Sequence, residues 1–126
     1  FAARNIMTSL WNKWRNSMAE KKEPLTESYF YILLCLYGGP KHGYGIMQET
    51  AELSGGTVKI GSGTMYGATG NMLKKGWIVE TQNPDPSDTR KRLYSLTDAG
   101  KDVLMSEVER LQRLLGAAQR IMNERL

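Results

Sequence analysis

The chain has 126 residues, of which 40% are hydrophobic and 24% are charged, and its formal net charge is +4 at pH 7. A chain of this length is expected to form one domain with its own core, and its apolar runs are too short to cross a bilayer. The composition therefore excludes a membrane-spanning protein, and a single cysteine excludes a disulfide framework or a clustered zinc site. No secretory signal is evident, so we expect a cytoplasmic protein.

The first predicted element is an amphipathic helical extension over residues 1–24. Its apolar side chains fall on one helical face, and its basic side chains lie largely elsewhere. The apolar positions are Ile6, Met7, Leu10, Trp11, Trp14 and Met18. The extension holds five basic and two acidic side chains, a net +3, which leaves only +1 for residues 25–126. Net charge alone is therefore weak evidence for a polyanionic partner of the remaining chain.

A buried helix is predicted over residues 25–37. Thr26 can cap its amino terminus, and apolar side chains surround most of its circumference, so the helix should lie in the core. Those side chains are Tyr29, Phe30, Ile32, Leu33, Leu34, Leu36 and Tyr37. Cys35, inside this helix, is interpreted as a buried and inert thiol, with a reactive thiol as the alternative. The Gly-Gly-Pro sequence of residues 38–40 ends the helix.

Two further helices are predicted after Gly-rich turns. One begins near Gly43 and directs apolar side chains toward the same core, at Ile46, Met47, Ala51 and Leu53. The next begins near Ser62 or Gly63 and runs to Lys75, and Gly76 is placed to terminate it. The apolar residues of this helix occupy one face, which leaves its small and polar residues outside. The outward residues are expected to be Ser62, Thr64, Gly67, Thr69 and Asn71.

Residues 77–96 have the pattern of a β-hairpin. It predicts a strand over residues 77–82, a turn with two prolines over 83–88, and a returning strand over 90–96. Thr97 and Asp98 can then cap a last helix. Three helices followed by a hairpin predict a mainly α winged helix-turn-helix domain over residues 25–96, with the hairpin as a small β wing.

The last helix, over residues 97–126, carries apolar side chains at alternating steps of four and three. This is the spacing of a heptad seam, formed by Leu104, Val108, Leu111, Leu115, Ala118 and Met122. One seam on one chain predicts a homodimer, with this segment as the dimerisation helix. The alternative is that the helix folds onto the core of its own domain.

Several motifs occur in a specific order along the chain. They are Leu25-Thr26-Glu27, Gly39-Pro40-Lys41-His42-Gly43-Tyr44-Gly45-Ile46, Gly63-Thr64-Met65-Tyr66, Leu73-Lys74-Lys75-Gly76-Trp77-Ile78, and Arg92-Leu93-Tyr94-Ser95-Leu96-Thr97 with Ala99-Gly100. Through these motifs the chain resembles the PadR family of bacterial transcriptional regulators, over residues 25–115. The single helix after the hairpin is similar to the short branch of that family. Gly67 is a departure, since the family usually has proline soon after its Thr-Leu-Tyr.

The resemblance implies a dimeric DNA-binding repressor, often released by a small aromatic or drug-like molecule. In such a protein the recognition helix, residues 62–75, would enter the major groove, and the wing, residues 83–92, would lie on the backbone or in the minor groove. Ser62 and Thr64 would meet base edges. Phosphate contacts are expected from exposed amides, a hydroxyl group and basic side chains. The phosphate-binding candidates are Gly43, Tyr44, Lys74, Lys75, Arg90, Lys91 and Arg92.

Tyr66 has two interpretations that the residues alone leave open. It can contact phosphate or a thymine methyl, or it can pack against the preceding helix. The recognition helix contains no arginine, so the bidentate arginine–guanine contact is not available from it. Specificity would then depend on hydroxyl groups, Asn71 and DNA shape, and we expect an A·T-rich inverted repeat as the operator.

The extension over residues 1–24 has three interpretations. It can pack on the C-terminal helices and enlarge the dimer interface, lie on an anionic membrane surface, or act as an arm that is mobile or reaches toward DNA. We favour packing, because two exposed tryptophans would be a large apolar liability, and we expect no stable membrane association. In that arrangement Trp11 and Trp14 could line a pocket for an aromatic effector. Plain core packing is the alternative for both.

The sequence gives little support for an enzyme. His42 is the only histidine, and no acid or nucleophile accompanies it at motif spacing. The glycines at 61, 63, 67 and 70 lack the preceding strand and the Gly-Lys-Ser/Thr ending of a nucleotide loop. We therefore expect no catalytic residues, no metal and no cofactor. The alternative function is a winged-helix module that binds a protein without specific DNA binding.

Overall fold

The computed structural model describes residues 9–10, 23–81 and 92–124. In chain order its elements are α1 (Glu27–Tyr37), β1 (Lys41–His42), α2 (Gly43–Leu53), α3 (Ser62–Lys74), β2 (Ile78–Thr81), β3 (Leu93–Leu96) and α4 (Asp98–Glu124). The three strands form one antiparallel sheet in the order β1-β3-β2. The prediction of a mainly α fold with a small hairpin is confirmed. Strand β1 was not predicted, because two residues carry no periodic signal.

Helix α1 forms the centre of the core. The Oγ1 atom of Thr26 accepts a hydrogen bond from the backbone N–H of Tyr29 at 3.2 Å, which confirms the predicted cap. Ile32, Leu33, Cys35 and Leu36 are buried. Tyr37 was predicted to join them, but it is 59% exposed. It ends the helix beside the chain reversal at residues 38–40, beyond the layer that α2 and α4 cover.

Helices α2 and α3 cover α1 with narrower apolar faces. In α2 only Ile46 and Thr50 are buried, and Leu53, which was predicted to face the core, is 53% exposed at the helix end. The buried residues of α3 are Met65, Ala68, Thr69 and Met72. A helix has about 3.6 residues per turn, so these positions share one side. Each of these helices therefore contributes one face to the core.

Two of the polar residues predicted to face outward from α3 do not do so. Thr69 is 2% exposed, and its hydroxyl donates to the carbonyl oxygen of Met65 at 2.9 Å. Asn71 is half-buried, and its Nδ2 atom donates to the phenolic oxygen of Tyr29 at 2.9 Å. The prediction failed because each polar group finds a partner on the inner side of α3, Thr69 within its own helix and Asn71 on α1.

A tight junction joins the hairpin to α4. Gly76 has φ +74°, a left-handed conformation that favours glycine. The hydroxyl of Thr97 donates to the carbonyl oxygen of Gly76 at 2.6 Å and accepts from the N–H of Gly100 at 3.1 Å, which confirms its predicted capping role. Gly100 lies directly against the carbonyl of Trp77, with no room for a side chain. These contacts fix the start of α4 against Gly76 and Trp77, which join α3 to β2.

Helix α4 divides into two halves. Its first half packs on the domain, and Gly100, Val103, Leu104 and Glu107 are buried. Leu104 and Val108, the first two positions of the predicted seam, therefore belong to the core of their own chain. From residue 111 to residue 124 every side chain is exposed. None of the helices that the structure describes is both long and apolar enough to cross a bilayer.

Candidate nucleic-acid interface

The amino-terminal ends of α2 and α3 open onto one groove, together with β1 and β3. This α2–α3 groove has a volume of about 1130 Å³. Five of the residues proposed for DNA contact line it, namely Gly43, Tyr44, Ser62, Tyr66 and Arg92. Helix-turn-helix docking uses this end of a recognition helix for base contacts. The structure thus brings together backbone amides, hydroxyl groups and a cation that lie far apart in the sequence.

The outer face of α3 is unusually bare. Gly63, Gly67 and Gly70 share one side of the helix with Lys74, and a methyl group on any of the three glycines would meet no atom within 4 Å. Thr64 is exposed on the flank of this face. The backbone of α3 can therefore approach a partner surface more closely than a helix covered by long side chains.

Tyr66 stands beside this glycine face and is 66% exposed. The ring is thus not packed into the core, and its contact with DNA stays a prediction. Tyr44, at the start of α2, is 70% exposed, and its phenolic oxygen accepts a hydrogen bond from Nε2 of Gln48 at 3.2 Å. Two aromatic hydroxyl groups therefore border the α2–α3 groove on neighbouring helices.

The start of α2 leaves backbone donors available. His42 is the residue at the N-cap position, and its side chain makes no capping hydrogen bond. The first amides of a helix have no partner within the helix, and the helix dipole places partial positive charge there. Gly43 and Tyr44 are the first two residues of α2. Their amides are suited to an anionic group that enters the α2–α3 groove.

Two basic side chains near the groove have different roles. Lys41 is half-buried, donates to the carbonyl oxygen of Cys35 at 2.8 Å and pairs with Glu49 at 3.4 Å, so it ties β1 to α1 and α2. Arg92 pairs with Glu80 at 3.3 Å, and both side chains are exposed. An exposed ion pair contributes only about 0–1 kcal/mol. Arg92 can therefore exchange this carboxylate for a phosphate.

The remaining predicted phosphate ligands are separated from the groove or lie outside the described residues. Lys74 and Lys75 are exposed at the far end of α3, about 18 Å along the helix axis from Ser62. The ammonium group of Lys75 lies 4.7 Å from the centre of the Trp77 ring. Arg90 and Lys91, with most of the predicted wing over residues 83–92, lie outside the described residues.

Sequence reasoning missed a polar contact that joins α1 to α4. Glu107, only 6% exposed, accepts a hydrogen bond from the N–H of Leu25 at 2.7 Å and one from Nη2 of Arg110 at 3.1 Å. These contacts, with the hydrogen bond from Arg110 the largest cause, hold the pKa of Glu107 below its usual value. A glutamate at a heptad-compatible position gives no signal of this contact, because its partner is a backbone amide 82 residues away.

Cys35 is buried, and burial raises the pKa of its thiol, which supports the interpretation of an inert thiol. Among the described residues, no group of three or more His, Cys, Asp or Glu side chains could hold a metal ion. The predicted effector-pocket residues Trp11 and Trp14 lie outside the described residues.

Comparison with known proteins gives a family. Residues 32–106 match the family described as transcriptional regulator PadR-like. A curated protein from Streptomyces fradiae, an uncharacterized 37.1 kDa protein encoded in a transposon, is 31% identical over 90 residues, which are 71% of this chain and 24% of that protein. The chain therefore spans about a quarter of the length of this curated relative.

Solved structures share the fold. A PadR family transcription regulator from hypervirulent Clostridium difficile matches with a TM-score of 0.64 and 24% identity, over 77% of this chain and 99% of that one. A PadR-like transcription factor from Bacteroides fragilis matches with a TM-score of 0.63 and 17% identity, over 90% of this chain and 98% of that one. The family match covers more than half of the sequence, and the chain belongs to the PadR-like family of transcriptional regulators, which are DNA-binding proteins and not enzymes.

Proposed function

We propose that the chain is a homodimeric repressor that binds an operator through the α2–α3 groove and the outer face of α3. The observation that carries this proposal is the convergence of Gly43, Tyr44, Ser62, Tyr66 and Arg92 on one groove at the amino-terminal end of α3. Residues 62–75 would lie in the major groove of DNA, and residues 83–92 would lie on the backbone or in the minor groove.

The contacts divide by chemistry. The first amides of α2 and the hydroxyl of Tyr44 would hold one phosphate, since helix amino termini bind anions. Ser62 and Thr64 would reach base edges, and Tyr66 would contact a phosphate or a thymine methyl. The glycine face of α3 would let the helix backbone sit close to the DNA. Because few long side chains are available for base contacts, DNA shape would contribute much of the specificity.

Basic residues at both ends of the interface would supply the salt-dependent affinity. Lys74 and Lys75 would meet the backbone on one side, and Arg92, with Arg90 and Lys91, would meet it from the wing. Arg92 would leave Glu80 as the phosphate takes its place. Each such phosphate contact releases counterions and so adds to the salt slope of binding.

Dimerisation would use the second half of α4. Its exposed apolar side chains cover one stripe of the helix, at Leu111, Leu114, Leu115, Ala118, Ile121 and Met122. An apolar stripe of this length suits a second copy of the same helix. In this division residues 25–96 bind DNA and residues 97–126 join the two copies, which suits an inverted-repeat operator.

Regulation by a small molecule rests on the family resemblance. The proposal is that a small aromatic or drug-like molecule releases the repressor, and that Trp11 and Trp14 in the extension over residues 1–24 line its pocket. Quenching of tryptophan fluorescence by candidate aromatic compounds tests this. If titrations of the Trp14→Ala variant match those of the wild type, Trp14 has no part in such a pocket.

Fluorescence anisotropy across a salt series tests DNA binding. The duplex upstream of the protein's own gene is compared with a scrambled duplex of the same composition. We expect tight binding to the first and a steep loss of affinity with salt. The double variant Lys74→Gln/Lys75→Gln should weaken binding to both duplexes and lower the salt slope by about one for each lost contact per protomer. Lys101→Gln, an exposed lysine in the first turn of α4, is the control and should change neither.

The outcome also separates the alternative function. Equal and weak binding to both duplexes would instead favour a winged-helix module that binds a protein. Neutralising Arg90, Lys91 and Arg92 together sharpens the distinction, because a DNA-binding protein should lose affinity and salt slope at the same time.

A further inference from the structure

His42 occupies a position in the α2–α3 groove that none of the contacts above uses. It is half-buried, pairs with Leu93 through β1, and precedes the first residue of α2. Its Nδ1 atom lies 3.4 Å from the backbone carbonyl oxygen of Arg92, and its side chain lines the groove. The imidazole ring is therefore held between the start of α2 and the strand that leads from the wing.

The partner of Nδ1 determines what the other ring nitrogen can do. A carbonyl oxygen only accepts hydrogen bonds, so the contact with Arg92 requires a proton on Nδ1. In a neutral ring Nε2 then has no proton and presents a lone pair. A DNA phosphate also presents only acceptors. A neutral His42 that keeps its contact with Arg92 would thus repel a phosphate at Nε2, whereas a protonated ring could donate to it.

Among the described residues of the neighbouring elements, the carboxylates of Glu49 and Glu80 are each paired with a cation before DNA binds. On β1 and α2, Lys41 is paired with Glu49, and on the side of β2 and β3, Glu80 is paired with Arg92. Tyr44, Tyr66 and Tyr94 also line the groove. A DNA phosphate that enters the groove is then the group that would favour the charged ring.

We infer that His42 binds a DNA phosphate as an imidazolium, and that DNA binding is therefore coupled to the uptake of a proton by each protomer. The inference rests on the proposed DNA-binding function and adds a residue and a pH dependence to it. The proton comes from solvent and is held on Nε2, which then donates to a phosphate oxygen while Nδ1 keeps its contact with Arg92. Operator affinity should accordingly rise as the pH falls.

The test measures operator affinity by fluorescence anisotropy at constant ionic strength between about pH 5.5 and pH 8, the range in which an ordinary histidine titrates. We expect the affinity of the wild type to rise about tenfold over this range. His42→Gln offers an amide donor that does not titrate, so its affinity should be independent of pH. Tyr44→Phe, a neighbour in the same groove, should weaken binding but keep the pH slope of the wild type.

Calorimetry provides a second measurement that needs no variant. Binding enthalpies measured near pH 6.5 in two buffers of different ionisation enthalpy count the protons exchanged, and we expect net uptake by the wild type. A wild-type affinity that does not change with pH would overturn the inference. So would a His42→Gln variant with the same pH slope and proton uptake as the wild type. Failure of the wild type to bind the duplex at any pH would instead contradict the proposed DNA binding.

Discussion

Helices α3 and α4 each bury one face against the same core, but their exposed faces have opposite chemistry. The exposed face of α3 is glycine, hydroxyl groups and a lysine, with Tyr66 as its one large exposed side chain. The second half of α4 is exposed all round and carries an apolar stripe, in which Leu111, Leu115 and Met122 are 40%, 58% and 66% exposed. A polar face open to close approach suits nucleic acid, whereas an apolar stripe suits a protein partner.

The difference shows that one small domain can present two interfaces of different chemistry. The inner faces of both helices are held by contacts that fix their geometry, such as Gly100 against the strand that follows α3 and Glu107 against the start of α1. Because those contacts satisfy the fold, the outer faces are free to differ. Substitutions on inner and outer faces should therefore have separable effects on stability, dimerisation and DNA binding.

The largest effect is expected from charge placed on the apolar stripe of α4. Leu115→Asp removes an apolar side chain whose burial in a dimer would contribute about 1.5–3 kcal/mol per protomer, so the dissociation constant should rise at least about tenfold. Sedimentation or light scattering at micromolar concentration measures it. Asn123→Asp adds the same charge to the same helix on the side opposite the stripe and should leave the dimer intact. If both variants have the mass of the wild type, the stripe is not the dimer interface.

The next effect comes from the same glycine-to-alanine change made in each half of α4. A methyl group at Gly100 would overlap the carbonyl oxygen of Trp77 and lie 2.7 Å from Cδ1 of Leu96, so Gly100→Ala should destabilise the fold by about 1–3 kcal/mol. A methyl group at Gly116 meets no atom within 4 Å, and Gly116→Ala should stabilise the fold by about 0.5–1 kcal/mol. Urea denaturation at one protein concentration measures both. Equal changes in the two variants would contradict the division of α4.

A smaller effect depends on pH. Arg110 holds the pKa of Glu107 below its usual value, so the unfolded chain binds more protons than the folded chain in acid. The stabilisation is fully present above the usual glutamate value of about 4.3 and is lost as the pH falls through the lower folded value. Glu107→Gln should lower the free energy of unfolding at neutral pH by about 1–2 kcal/mol and flatten its acid dependence.

Glu109→Gln is the matched control for that measurement, since Glu109 is exposed two residues away on the same helix. It should change stability little and should keep the acid dependence of the wild type. A Glu107→Gln variant that loses stability in acid as steeply as the wild type would show that another carboxylate is responsible.

The smallest effect compares the two faces of α3. Thr64→Val removes an exposed hydroxyl at the proposed DNA contact, and the affinity for the operator should fall by about 0.5–1.5 kcal/mol, or about two- to tenfold. Thr69 also lines the α2–α3 groove, but it is 2% exposed and its hydroxyl bonds only within α3. Thr69→Val should therefore change the affinity less than Thr64→Val. Anisotropy titrations distinguish the two variants. A larger loss from Thr69→Val would mean that the wrong face of α3 has been assigned to DNA.

Much of the fold followed from local signals in the sequence. Thr26, Gly76 and Thr97 were each predicted at an element boundary, and each has the conformation or the hydrogen bonds that its role requires. Such caps depend on residues within a few positions of one another, so a single sequence carries them. The starts of α2 near Gly43 and of α3 near Ser62 were also predicted, although neither helix has a side-chain cap.

The wrong or missing predictions concern buried polar residues and residues whose contacts lie far away in the sequence or on another copy of the chain. Thr69 was placed outside because it is polar, although its hydroxyl is satisfied by its own helix. The heptad pattern of α4 is continuous, yet Leu104 belongs to its own core and Leu115 is exposed, because periodicity does not say which copy of the chain covers each turn. Contacts such as Arg92 with His42 span 50 residues, and no local pattern marks them.

The most direct test of DNA binding through the α2–α3 groove is chemical-shift mapping of the isotope-labelled protein as the operator duplex is added. The largest shifts should occur at the amides of residues 42–45 and 62–67, and the amides of the apolar stripe on α4 should change little. Shifts confined to α4, with residues 42–45 and 62–67 unchanged, would contradict the proposed interface.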